Sequence, residues 1–223
     1  MTIHFKITTG LLEEIRNDLL RRHSFAFERV GFLFICPGTA GLHYDSHNSN
    51  HEIPNIHPHT WYSRFSSWFG IGARKAKEIS SSKGSTSTNS KIDRQDTLIL
   101  LASSYAPVTD GDYIEDPTVG ARIGSAAIRS AMQRSLDSGM GVLHVHMHEG
   151  RGRPGFSLTD RKSMNSLMPS FFNITPNMPH GALVLNRDSI AGVVWKDKKT
   201  QIAISRVSVI GYPCSFDKGI SYV

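Results

Sequence analysis

Apolar positions recur at two different periods along this chain, and the period predicts the element. Leu11, Leu12, Ile15 and Leu19 follow the i, i+4, i+8 spacing of a helix face. Thr8 or Thr9 is placed to cap that helix, and Arg21, Arg22 and His23 suit its C-terminal dipole. Val30 to Ile35 (VGFLFI) is a continuous apolar run, too short for a helix and closed by Cys36-Pro37-Gly38, which predicts a buried strand. Thr97 to Ser103 predicts another. Ile123, Ala127, Ile128, Ala131, Met132 and Leu136 predict one face of a helix stopped by Gly139 and Gly141. Val142 to His148 alternates with period two, which puts His144, His146 and His148 on one face of an extended segment. A short helix is expected from Ser157, then strands at Gly181 to Leu185, Ile190 to Trp195 and Gln201 to Ile210. This order predicts an α/β (α+β) fold, a mixed sheet flanked by helices.

From about residue 38 to 95 the periodicity dissolves, and this stretch is expected to be a long polar insertion, partly flexible, in a single domain of 1–223. It holds five of the histidines, between His43 and His59, and the tract ISSSKGSTSTNSK, which offers nothing to bury. The histidine spacings match no tetrahedral metal pattern. Trp61, Phe65, Trp68 and Phe69 recur at helical intervals beside a basic tail, so 61–78 reads as packing on its own domain in preference to an arm for a membrane or partner.

At 223 residues and 39% hydrophobic content the chain can build a real core. Its formal charge of +6 is regional: six basic residues and the single acid Glu78 lie between Trp61 and Lys91. A solvated segment explains that excess more simply than a phosphate-binding surface, so no nucleic-acid partner is expected. Cys36 and Cys214 make at most one disulfide and neither carries a nucleophile's motif. MTIHFKITTG lacks a signal peptide's apolar core and no apolar run approaches a membrane span, so a cytoplasmic location is expected.

The chemistry concentrates in GVLHVHMHEGRGRPGFSLTD. His146 and His148, one residue apart on an extended strand, can converge on one divalent ion, and Asp160 in the first turn of the next helix can complete three ligands with the fourth position left to water. Ser157-Leu158-Thr159-Asp160 also matches a helix capping box, which alone would explain the serine and the aspartate. The combination favours metal, because a buried strand otherwise has no use for imidazoles.

HVHMHEGRGRPGFSLTD resembles the JAMM motif of the JAB/MPN zinc metalloproteases, isopeptidases that remove ubiquitin-like proteins: HxH, a spacer, then SxxD, with an upstream glutamate. FERVGFLF is similar to the family's ExxG strand, and the likeness covers residues 8 to 36 and 97 to 210. The resemblance implies that His146, His148 and Asp160 bind Zn2+, that Glu28 is general base and proton donor, and that Ser157 stabilises the oxyanion. Glu149 stands where the family usually has proline, and the spacer to Ser157 is one residue longer than the common form. His144 and His146 are therefore an alternative pair, with a still longer loop; in the preferred register, which needs the smaller insertion, His144 is an outer-shell, substrate-facing or plain strand residue. Arg151 and Arg153, at the mouth of the proposed site, are candidates for substrate contact. MPHGALVLNRDSIAGVVW resembles bacterial JAB proteins encoded beside ubiquitin-activating-like enzymes, which implies a ubiquitin-like protein and its conjugates as substrate, E1-like and E2-like partners, and a role in antiphage defence. Competing functions are a non-catalytic MPN-type scaffold and a basic-arm binder of membrane or nucleic acid.

Overall fold

The computed structural model describes residues 1–38 and 97–211. The chain divides into two units, Met1–Gly41 with Thr97–Val223, and Leu42–Asp96. The second unit lies outside the described residues, and with it the aromatic and basic stretch 61–91 and the histidines 43–59. Among the described residues no helix is long and apolar enough to cross a membrane.

The first unit is a mixed α+β fold with one eight-stranded sheet and three α-helices. In chain order these are β1 (Thr2–Thr8), α1 (Thr9–Leu19), β2 (Val30–Gly38), β3 (Thr97–Pro107), a 3-10 turn (Asp110–Asp112), α2 (Ser125–Ser138), β4 (Gly141–Met147), α3 (Leu158–Ile174), β5 (His180–Leu185), β6 (Ile190–Trp195), β7 (Gln201–Ala203) and β8 (Arg206–Ile210). The strands lie in the order β7-β6-β5-β4-β2-β3-β1-β8. β2 is central, antiparallel to both β3 and β4, and this explains its unbroken apolar run: both of its faces are covered.

β1 is a strand the sequence analysis leaves unassigned, although Ile3, Phe5 and Ile7 alternate and are buried at 0, 0 and 2% exposure. Thr8 then caps α1, its hydroxyl accepting from Leu11 N at 3.3 Å. The segment 201–210, expected as one strand, is two. β7 pairs with β6 while β8 pairs with β1, yet only Ile204 and Ser205 separate them. Ile204 N donates to Gly192 O and Ser205 N to Ile3 O, at 2.9 and 2.8 Å. Two residues reach only a few ångströms each, so the sheet must curl until its two edges are neighbours.

α2 buries Ala127, Ala131 and Ser135 at spacing four, whereas Leu136, expected on its apolar face, is 54% exposed. The Ser135 hydroxyl is inside because it donates to Met140 O at 2.7 Å and bonds Thr175. Gly139 ends the helix in the left-handed conformation, as its sequence position predicts. α3 runs 17 residues, longer than expected, and continues through Pro169 at the loss of one backbone hydrogen bond. Its buried face (Met164, Met168, Phe171, Phe172) joins Phe32 of β2 and Trp195 of β6 in the main core cluster. That packing anchors the helix whose first turn faces the histidines of β4.

Candidate metal centre

The alternation of β4 turns His144, His146 and His148 to one face, where neighbouring ring centroids lie 5.8 and 4.9 Å apart. β2 holds one side of β4, with Val30 opposite His146, and β5 holds the other, with Val184 opposite His146. The strand is thus fixed on both edges, and its last histidine is anchored as well: His148 N donates to Leu185 O at 2.9 Å.

α3 delivers the carboxylate. Ser157 is its N-cap and accepts from Asp160 N at 3.1 Å, while Asp160 Oδ2 accepts from Ser157 N at 2.7 Å. The same Oδ2 lies 3.5 Å from His146 Nε2 and 3.5 Å from His148 Nε2. The capping box and the approach to the imidazoles are therefore features of one side chain and not rival readings. Burial pushes the Asp160 carboxyl up, but neighbouring His146 and the Ser157 hydrogen bonds outweigh it and hold the group well below the usual carboxylate range.

Glu28 enters from the bend before β2, its Oε1 3.8 Å from His148 Nε2. Its pKa is raised: burial and the negative charge of Asp160 push it up, against the pull of His146 and His148. Next to it Arg29, 2% exposed, pairs with Asp110 and lies 4.0 Å from Asp18, under which Tyr113 offers its ring face at 5.5 Å. Arg29 holds the exposed Asp110 carboxyl below its ordinary pKa. These bonds tie the start of β2 to the loop after β3 and so fix the backbone from which Glu28 projects.

One ligand atom from each of Glu28, His146 and His148 lies within 4.8 Å of the others, and this group could hold a metal ion. The donor chemistry fits. His146 is 2% exposed, yet neither of its ring nitrogens has a hydrogen-bond partner. A buried polar group left unmet costs roughly 1–3 kcal/mol, and a cation at Nε2 would satisfy one of them.

The other sequence candidates fall around this group. His144 forms no ion pair with a carboxylate among the described residues; it packs edge-on against Phe32 at 5.8 Å, and burial pushes its pKa down to about 3, helped by His146. Arg151 and Arg153 are exposed on the loop between His148 and Asp160. Gly152 between them is gripped by the β5–β6 turn: its N donates to Asp188 Oδ1 at 3.0 Å, and its carbonyl accepts from Asn186 Nδ2 at 2.9 Å and from the Ser189 hydroxyl. Gly150 and Gly152 of this loop are at positive φ.

Three residues beside these groups are not singled out by the sequence. Phe27 and Leu158 are 78 and 79% exposed, and they adjoin Glu28 and Ser157 respectively. Apolar residues directly beside polar functional groups could have signalled them. Gly120, about 90 residues away in sequence, leaves free the space beside the Glu28 carboxylate that a Cβ would fill, and nothing local marks it. No protein-family model matches the chain, and no curated protein matches it.

Proposed function

We propose that the chain is a zinc-dependent isopeptidase with a JAB/MPN-type fold, cutting after the C-terminal residue of a ubiquitin-like protein to release it from a lysine amine or trim its precursor. The observation that carries this is the pair of equal distances, 3.5 Å, from Asp160 Oδ2 to the Nε2 atoms of His146 and His148. Ligands about 2.1 Å from one zinc ion at the corners of a tetrahedron lie about 3.4 Å apart, whereas a direct hydrogen bond brings N and O to about 2.9 Å. Both distances match the ligand spacing, which supports this reading. The match also favours His146 and His148 over His144 and His146 as the pair.

Zinc held by His146, His148 and Asp160 would polarise the scissile carbonyl and supply an activated water at neutral pH. Glu28, with its raised pKa and its carboxylate beside His148, is suited to take a proton from that water and pass it to the leaving amine. Ser157 accepts from Asp160 N through its oxygen, so its hydroxyl proton remains free to donate to the carbonyl oxygen as negative charge develops. Phe27 and Leu158 offer apolar area beside these groups, and Arg151 and Arg153 positive charge, as an extended polypeptide substrate requires. The resemblance to bacterial JAB proteins supports a ubiquitin-like conjugation system with E1-like and E2-like enzymes, active in antiphage defence.

The test is cleavage of an isopeptide-linked ubiquitin-like conjugate by purified protein. Glu28→Ala should reduce the rate by roughly 10²–10⁴ with zinc retained; His148→Ala should lose zinc and activity together. Chelation should abolish cleavage and added zinc restore it. Cleavage that survives either substitution would refute this site as the catalytic one, and a purified protein without metal or activity would refute the isopeptidase and leave a non-catalytic scaffold.

A further inference from the structure

We propose that Gly120 is a positioning residue, whose missing side chain forms the seat that aims the Glu28 carboxylate at His148; the catalytic part of this rests on Glu28 as general base. A Cβ built on Gly120 would lie 2.7 Å from Glu28 Cδ, 2.7 Å from Oε2 and 3.1 Å from Oε1. The three nearest atoms are all of one carboxyl group. Backbone conformation gives no other reason for glycine here, because the positive-φ glycines among the described residues are Gly139, Gly150, Gly152 and Gly211. Gly31, Gly141, Gly181 and Gly192 also lack room for a Cβ, but they meet core side chains or neighbouring strands.

The same residue fixes the backbone of its client. Gly120 O accepts from Phe27 N at 2.9 Å and from Glu28 N at 3.0 Å, so one peptide group locates both the main chain and the carboxylate of Glu28. The seat is itself braced. Ile114 N donates to Arg122 O and Gly124 N to Asp112 O, at 2.8 and 2.7 Å, and Asp116 gathers Thr118 and the Arg122 guanidinium within the loop. A methyl at Gly120 would meet the end of a flexible side chain, not backbone. The fold can therefore persist while the carboxylate is driven from its place 3.8 Å from His148 Nε2.

Four proteins test this: native, Gly120→Ala, Glu28→Ala and the double variant. In metal-free protein, Gly120→Ala should lower the thermal midpoint of the native chain by displacing a half-buried carboxylate. In the Glu28→Ala background it should leave the midpoint unchanged or raise it, since alanine at an ordinary φ restricts the unfolded chain. Equal shifts in both backgrounds would overturn the seat. Zinc affinity, measured by competition with a chromophoric chelator, should stay within about threefold, while kcat for the conjugate falls about tenfold or more with KM kept, as misplacement by about 1 Å predicts. An unchanged kcat would overturn the positioning role. If native protein cleaves nothing, the isopeptidase falls, and the midpoint comparison still decides the seat.

Discussion

Asp160 caps its helix and, on the proposed reading, also binds the metal, and the two roles can be separated by substitution. Asp160→Asn keeps a carbonyl oxygen able to accept from Ser157 N, so the capping box survives, but it removes the anionic ligand. Ser157→Ala does the reverse: it deletes the hydroxyl that accepts from Asp160 N and leaves the carboxylate in place. For the metal-free protein, loss of the cap should cost about 1 kcal/mol, or about 2–4 °C in a domain of this size, and Asp160→Asn, which keeps the cap, should lose the stability that His146 and the Ser157 hydrogen bonds lend the anion. Zinc supplied at about 100 times its Kd adds about 2.7 kcal/mol to the folded state, which is about 5–11 °C at the same conversion.

Differential scanning fluorimetry with and without zinc therefore has a crossed outcome. Ser157→Ala should keep the full zinc-induced rise, whereas Asp160→Asn should lose most of it, each measured from its own metal-free midpoint. His146→Ala serves as a control for the ligand set. The reasoning is refuted if zinc raises the midpoint of Asp160→Asn as much as that of the native protein, or if Ser157→Ala alone abolishes the rise.

Two further predictions concern the core. His180 is fully buried, receives Val142 N at its Nδ1 (3.2 Å) and lies 3.0 Å from Thr175 O through Nε2, and burial pushes its pKa down to about 4 despite the Thr175 carbonyl. Because the unfolded chain binds this proton near pH 6.5 and the native one does not, stability should fall as pH drops from about 6.5 to about 4, by up to about 3 kcal/mol. Urea midpoints across that range should fall less steeply in His180→Gln, and an identical fall would refute the assignment. Gly31→Ala puts a Cβ where the Tyr105 ring and hydroxyl now lie and disturbs the hydroxyl's 2.7 Å bond to Asp18. It should cost about 1–3 kcal/mol in chemical denaturation of the native background and much less in a Tyr105→Ala background; equal costs in both would mean the glycine is needed for another reason.

What could be foreseen followed from local periodicity. The β4 alternation, the apolar run of β2, the Thr8 cap and the Gly139 stop are all set by residues within one turn or one strand, and each element formed, although β2 runs on through Cys36-Pro37-Gly38, the residues expected to close it. The failures need contacts remote in sequence. Splitting 201–210 between two edges depends on the curl of the whole sheet, and Ser135 displaces Leu136 from the inner face of α2 because Met140 and Thr175 lie there to receive its hydroxyl. The alternation of β1 was present in the sequence, but a strand at the start of a chain has little beside it to show which partner will cover it. Gly120 is the extreme case, since its identity is explained by a side chain on another element.

The first turn of α3 shows why a cap and a ligand can share one four-residue pattern. A carboxylate oxygen can accept more than one hydrogen bond. When Oδ2 of Asp160 accepts from Ser157 N, the side chain is held in one rotamer, and the remaining acceptor capacity of that oxygen faces His146 and His148. A position in the first helical turn also stabilises the anion through the helix dipole, so the group is charged before any cation arrives. The fixed orientation removes conformational freedom that binding would otherwise have to restrict. On the proposed reading, the cap is what aims the ligand, and because the bond that holds its rotamer comes from the backbone N of residue 157, that aim survives Ser157→Ala.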